Sequence, residues 1–452
     1  VRLPSALCGL LSVFLIYLLA KQLWEKLELF QLFKKEKIEF LNRAIDLKEI
    51  FALSSSFFLA ISSWSIMYSR AAFEANVAFF FIVLGAYFFF LSLEKTYFWI
   101  FSGLSFVLSL YTYHSPKIFV PLFLILSFFV FRKKLLKQIE FKNWYLSLYL
   151  LIFVSSFYWF FKDTFLSEGG ARAGTLIFFE NNQLISLDFH LIRQLFLNLI
   201  AHLNPLFYIW GSASNFRNQM LWYGLMPFWQ YFLFIIGLVY LIKLGKKEII
   251  TFFVLWYLFG ILPGVLSKPD VVPHAIRSFN ILPSMIFISS LGLIFFLNYL
   301  TNKKQKMQKI LLSLFIMVIC LDLTRFTYEY FLQFPKYSAR DWQYGYEKIA
   351  LISQKYESQV DKILITSQYG QPYLMFAFYQ ERNPLYVIWG EMSKYLYVDK
   401  IEWDKDKFSK NTLLIGTDKE IPDEISEDLG KIIDRVYFPD GSVAFKIVKT
   451  NL

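Results

Sequence analysis

Long apolar stretches alternate along this chain with gaps that are by turns rich and poor in Lys and Arg. A helix needs roughly 20 predominantly apolar residues to cross the hydrocarbon of a bilayer. Segments 3–20, 48–66, 76–93, 97–113, 117–131, 144–161, 224–242, 248–266, 278–299 and 308–326 approach that length. Inside lipid every backbone polar group must be paired locally, so each segment is expected to be helical. The fold class that follows is an α-helical polytopic membrane protein with about ten transmembrane helices. Composition agrees: hydrophobic residues make up 56% of the chain and charged residues 18%, too apolar for an ordinary soluble domain.

The basic residues give an orientation. Lys21, Lys26, Lys34, Lys35, Lys37 and Arg43 crowd one gap, and Arg132, Lys133, Lys134, Lys137 and Lys142 another. Lys243, Lys246 and Lys247 fill a third, and Lys303, Lys304 and Lys306 a fourth. The alternate gaps hold Arg70, then Lys117, then four cations across the long 162–223 loop, then Lys268 and Arg277. Short cytoplasmic loops are enriched in Lys and Arg. The chain is therefore expected to enter from outside and to carry residues 327–452 back outside. Two domains follow: a transmembrane domain, 1–327, with the large outer loop 162–223, and an extracytoplasmic α/β domain, 328–452. The expected location is the cytoplasmic (inner) membrane, crossed many times.

The net charge of +11 fits cytoplasmic loops held against anionic membrane lipid, and no nucleic-acid partner is expected. Cys8 and Cys320 both lie in apolar runs, so no disulfide framework follows. The four histidines form no spaced cluster and argue against zinc; no cofactor is called, and a divalent metal stays open.

Five stretches, taken in order, carry a family resemblance. "RLPSALCGLLSVFLIYLLAKQLW" resembles the second transmembrane helix of the dolichyl-phosphate-mannose–protein mannosyltransferase superfamily, the C-type membrane glycosyltransferases. "ISSWSIMYSRAAFEANVAFFFIVLGAYFF" resembles its third and fourth helices with their short outer loop, and "GLSFVLSLYTYHSPKIFVPLFLIL" the following pair. "HLNPLFYIWGSASNFRNQMLWYGLMPFWQYFLFIIGL" resembles an outer loop and helix of a bacterial subgroup, and "VVPHAIRSFNILPSMIFISSLGL" the last outer loop. The resemblance implies transfer of a sugar from a polyprenyl-phosphate donor, with inversion at the anomeric carbon, to an extracytoplasmic acceptor such as a protein, lipid or envelope glycan. The rival class is a transporter or flippase of lipid-linked sugars. No repeated half of the kind common in transporters is visible.

In that family an acidic residue of the first outer loop is the expected catalytic base. The chain opens at Val1-Arg2-Leu3-Pro4 and runs straight into a helix, with no initiator methionine or basic n-region. It is read as N-terminally truncated, with the base and an eleventh helix upstream of Val1. Glu74 is the second candidate for the base.

Transfer also needs cations on the leaving phosphate. Arg70, Arg277, Arg217 and Lys117 stand in outer gaps beside apolar spans, and Arg suits phosphate through its bidentate fork. The alternative for each is a long cation snorkelling to the interface. Arg70 and Glu74 are spaced to share a helix face and neutralise each other. Asn76, His114, Asn215 and His274 are candidate substrate-binding residues; the favoured alternative for Asn76 is a helix cap, and a lone interfacial histidine such as His114 or His274 is more often structural.

Within 162–223, "SEGGARAGTLIFFENNQ" is expected to be flexible. Asp188 to Trp210 has apolar positions at helical spacing and reads as a helix lying on the outer interface, or packed on the bundle. Beyond Arg325 the composition changes. An aromatic belt is followed by an amphipathic helix from about Ala339, then strands "KILIT", "LYVI" and "TLLIG" and a helix "QPYLMFAFYQ". "RVYFPDGSVAFKIV" reads as a hairpin turning at Pro439-Asp440-Gly441.

Overall fold

The structure, a computed structural model, describes residues 2–33, 36–140, 144–165, 176–180, 183–184, 188–211, 216–383, 385 and 394–451. The chain divides into two compact units, residues 1–214 with 218–326, and residues 215–217 with 327–452. Segment 215–217, within the expected outer loop, thus groups with the second unit.

The first unit is helical. Its elements are α1 (Leu3–Lys26), a hairpin of β1 (Lys37–Phe40) and β2 (Arg43–Asp46), α2 (Leu47–Ala60), α3 (Ser63–Ala71), α4 (Glu74–Ser92), α5 (Phe98–Thr112), α6 (Pro116–Glu140) and α7 (Trp144–Phe165). A minimal hairpin, β3 (Phe179–Glu180) and β4 (Gln183–Leu184), precedes α8 (Phe189–Leu203) and α9 (Pro205–Ile209). The remaining helices are α10 (Phe228–Leu244), α11 (Lys247–Val265), α12 (Leu282–Thr301) and α13 (Gln305–Tyr328).

Among the described residues, five helical stretches are long and apolar enough to cross a membrane: Leu3–Lys26, Glu74–Ser92, Lys247–Val265, Phe279–Thr301 and Gln305–Tyr337. A sixth results if α2 and α3, bent by 52° at their junction, make one span. The expectation of about ten crossings is met only in part. Phe98–Thr112, Trp144–Ser156 and Phe228–Leu244 are apolar but shorter. At 1.5 Å per residue such helices reach about 20–26 Å, less than the ~30 Å of hydrocarbon. Segment 117–131 lies inside α6, whose second half carries the basic run from Arg132 to Lys137.

Helix α1 shows what solvent these elements suit. Ser5, Ser12 and Gly9 face inward, while Leu3, Leu7, Leu10, Leu11 and Phe14 face outward. Leu10 is 69% exposed where Ser12 is 1% exposed, the reverse of a helix packed in water. Small and hydroxyl side chains let apolar helices approach closely, and leucine outside costs nothing in lipid. Helices α10 and α12 pack backbone against backbone. A Cβ on Gly237 would stand 2.1 Å from the Ile288 carbonyl oxygen, and one on Gly292 2.0 Å from that of Leu233. Lys26, buried at the end of α1, pairs with Glu94 just past α4.

The second unit is a five-stranded sheet with helices. Its elements are α14 (Phe334–Tyr337), α15 (Tyr346–Tyr356), β5 (Lys362–Thr366), α16 (Pro372–Tyr379), β6 (Tyr395–Val398), β7 (Thr412–Gly416), β8 (Gly430–Tyr437) and β9 (Val443–Thr450). Strand order is β6-β5-β7-β9-β8; β5 runs parallel to both neighbours and β9 antiparallel to both of its own. Tyr346, Ile349, Ile363, Ile365, Phe376, Leu413, Ile415, Phe445 and Ile447 form its core. The hairpin at 438–442 is as expected: Gly441 has φ 88°, and the Asp440 side chain accepts the Ser442 amide at 2.9 Å. The amphipathic helix starts at Tyr346 rather than near Ala339, because Gly345 takes a positive φ of 96° before it. "LYVI" lies outside the described residues apart from Leu385, and β6 was not anticipated.

Candidate functional site

In the first unit the ends of several helices meet around Phe279 and Asn280. Trp64 and Tyr68 of α3 and Phe79 of α4 pack on the Phe279 ring at centroid distances of 5.3, 4.9 and 4.7 Å. Asn280 donates from Nδ2 to Ser115 Oγ at 3.2 Å, and its carbonyl accepts the Trp256 indole N–H at 3.1 Å. These contacts gather the end of α3, the start of α4, the loop before α6, and the 266–281 segment that follows α11. That segment carries His274 and Arg277; the loop before α6 carries His114, with Lys117 in the first turn of α6.

Arg277 donates from Nη1 to Ser267 Oγ at 2.8 Å, and Ser267 Oγ donates in turn to the Pro263 carbonyl at 3.2 Å. Around this pair α8 is fastened by its polar side. Asn198 Nδ2 donates to the Val265 and Ser267 carbonyls at 2.8 and 3.0 Å. His202 Nε2 accepts the His274 backbone N–H at 3.0 Å, so its Nδ1 carries the hydrogen and donates to the Asn198 carbonyl at 2.7 Å. Both ring nitrogens are satisfied in the neutral form. Burial pushes the His202 pKa down to about 4. His274 is pushed down to about 3, by burial first and then by Arg277 and His202. Close packing is required here: a Cβ on Gly264 would lie 2.4 Å from both His202 Nε2 and Ser278 Oγ.

Two buried polar atoms in this segment, His274 Nδ1 and Ser278 Oγ, make no hydrogen bond. Buried polar atoms are normally partnered. A cation, a neutral imidazole and a hydroxyl on one short loop suit a ligand rich in oxygen acceptors. His274 is neutral at pH 7, so it serves as a hydrogen-bonding group rather than a charge.

The other expected site residues fall differently. Arg70 is exposed in the last turn of α3 and Glu74 exposed in the first turn of α4. They share no helix face, because Ala72 between them takes a left-handed conformation (φ 63°) and ends α3. Asn76 is neither cap nor accessible ligand: it lies inside α4, 1% exposed, and donates to the Ser5 carbonyl at 2.7 Å and Ser5 Oγ at 3.0 Å. His114 and Lys117 are half-buried, joined by the Lys117 amide and His114 carbonyl at 3.0 Å. Arg217 groups with the second unit, where its Nε donates to the Asp341 carbonyl. Asn215 lies outside the described residues, as does the glycine-rich stretch 166–175. Among the described residues no group of three or more His, Cys, Asp or Glu is placed to hold a metal.

Helix α8 is inside out. Asn198 and His202 are buried, while Phe189, Ile192, Phe196 and Ile200 are exposed. Asp188 caps it, and Asn204-Pro205 ends it and starts α9, so the single expected helix is two.

A second polar cluster was not anticipated. Asp322 of α13, Tyr223, Arg325 and Trp210 come together, with Arg325 lying over the Trp210 and Tyr223 rings at 5.4 and 5.2 Å. The available signal was an acidic residue inside an apolar run, which is costly in lipid unless it is paired or used. No family model matches the chain, no curated protein matches it, and no solved structure matches it.

Proposed function

We propose that this protein is an integral-membrane glycosyltransferase that moves a sugar from a polyprenyl-phosphate donor to an acceptor outside the cytoplasm. The observation that carries the reading is the 266–281 segment, where Arg277 stands beside two buried polar atoms without hydrogen-bond partners. A leaving phosphate gains charge in the transition state, and preorganised donors aimed at it lower the barrier. Arg277 supplies a fixed charge with a bidentate fork. Lys117 and Arg70 stand on neighbouring segments joined to it through Ser115–Asn280 and the Phe279 ring cluster. Glu74, exposed at the start of α4, remains the second candidate for the base. The exposed apolar face of α8 suits contact with the prenyl tail or surrounding lipid. The charge alternation supports a topology of about ten crossings with residues 327–452 outside.

A flippase for lipid-linked sugars is the second reading, favoured by the 52° break between α2 and α3. Discontinuous helices often frame transporter sites. Proteoliposomes holding a labelled polyprenyl-phosphate sugar and a mixture of envelope acceptors separate the two. Label appearing on acceptor with release of free polyprenyl phosphate supports transfer. Intact labelled lipid merely changing leaflet supports the flippase and rejects the transferase.

A further inference from the structure

A cavity of about 970 Å³ opens in the first unit at the opposite end of α12 from Asn280. Helix α12 has 20 residues, Leu282–Thr301, so at 1.5 Å per residue the two places are separated by roughly 25–30 Å. The cavity is independent of the cluster around Arg277, and nothing below rests on the transferase reading.

Its walls have two characters. One is aromatic: Phe295 stacks on Tyr240 at 4.5 Å with an interplanar angle of 13°, and packs against Phe33 at 4.9 Å. The other is a rim of exposed neutral amides, Asn42, Asn298, Asn302 and Gln305. Lys37 and Glu39, also on the lining, balance each other in charge. Among the described lining residues these two charges cancel, so the described wall carries no net charge.

The β1–β2 hairpin that forms one wall is held in place deliberately. Its turn residues Leu41 and Asn42 both take positive φ, 51° and 63°. Asn tolerates that conformation, but Leu does not adopt it readily. Gln308, 7% exposed, accepts the Leu41 amide at 3.2 Å and donates to the Lys303 carbonyl at 3.0 Å. One buried side chain thus pins the hairpin tip, with Asn42, to the α12–α13 connection.

We propose that this cavity binds an uncharged, hydroxyl-rich ring, the chemistry of a sugar headgroup. Neutral amides donate to and accept from sugar hydroxyls at once. Aromatic surface beside them takes the apolar C–H face of a pyranose or the first methylenes of an attached chain. The ring comes either on a lipid or free in water.

The full chain in lipid nanodiscs is titrated with radiolabelled octyl β-glucoside, with methyl β-glucoside and octyl phosphocholine as competitors. Saturable binding is expected. Losing two or three hydrogen bonds in the variant N298A/N302A/Q305A should weaken it at least about tenfold. The three side chains are exposed, so the fold should be kept, which the thermal transition checks. Competition by methyl glucoside indicates a free sugar as ligand; competition only by alkyl glycosides indicates a lipid headgroup. Either outcome supports the proposal. Octyl phosphocholine competing equally well, no saturable binding, or an unchanged affinity in the triple variant overturns it.

Discussion

The Tyr223 hydroxyl donates a 2.7 Å hydrogen bond to Oδ2 of Asp322, a carboxylate 2% exposed within the apolar helix α13. Burial, and then the neighbouring carboxylate, hold the Tyr223 phenol far above its usual pKa, so it remains a donor. Arg325 completes the arrangement, with Nη1 4.0 Å from Asp322 and a bond to the Trp222 carbonyl. A charge in an apolar helix is thereby used to fasten Trp222 and Tyr223 to α13. Tyr223→Phe should cost about 1–3 kcal/mol, because it strips a donor from a buried carboxylate. Adding Asp322→Leu to that variant should recover part of the loss, since the unpaired charge goes with it. Thermal unfolding in detergent measures both; an unchanged transition in Tyr223→Phe would show that the bond contributes nothing.

The buried histidines predict a pH dependence. His202 has a folded pKa of about 4 against 6.5 for the free group, so the unfolded chain takes up the proton first. Stability is full above about pH 6.5 and falls as pH drops toward 4, by on the order of 2 kcal/mol at pH 5 for this one group. His274, with a folded pKa of about 3, adds in the same direction. His202→Gln should lower stability at pH 7 but flatten its slope between pH 6.5 and 4. A variant slope equal to that of wild type would remove His202 as the cause.

The α10–α12 contact predicts an intolerance to one methyl group. Gly292→Ala would place a Cβ 2.0 Å from the Leu233 carbonyl oxygen, and backbone cannot swing away as a side chain does. Overpacking of this kind costs about 1–3 kcal/mol or more. Gly245→Ala is the informative comparison: nothing lies within 4 Å of its Cβ, and only its positive φ of 66° opposes the change. Thermal stability should therefore fall further for Gly292→Ala; the reverse order would contradict the packing.

Charge alternation predicts the side on which the chain ends. A reporter active only in the cytosol, fused after Leu452, should be silent, and one active only outside should give signal. The opposite pair of results would reverse the orientation and move Arg277 to the cytosolic face.

Much of the helical layout was legible because apolar length is a strong signal. Each segment expected to cross is largely helical, but 48–66 is split between α2 and α3, and length alone did not tell a 15-residue helix such as α5 from a full span. The hairpin at Pro439-Asp440-Gly441 was legible because turn chemistry is local. What could not be read was set by tertiary partners. Spacing put Arg70 and Glu74 on one helix, but Ala72 turned left-handed between them. Asn76 looked like a cap and proved to be bound to Ser5, 71 positions away. The neutrality of His202 depends on the His274 amide, which no periodicity links to it. Arg277 and His274 were readable as candidates, while their meeting with Asn198, Ser267 and the loop before α6 was not.

The central claim is that Arg277 holds the leaving phosphate of a polyprenyl-linked sugar. Its most direct test is the rate of transfer from purified polyprenyl-phosphate sugar by the full-length protein, beside Arg277→Ala and Arg277→Lys. Removing a charged donor aimed at developing charge should raise the barrier by on the order of 2–4 kcal/mol, a loss of about a hundredfold or more. Lys should restore only part of the rate, since the fork is lost while the charge remains. Transfer by Arg277→Ala at the wild-type rate would contradict the account.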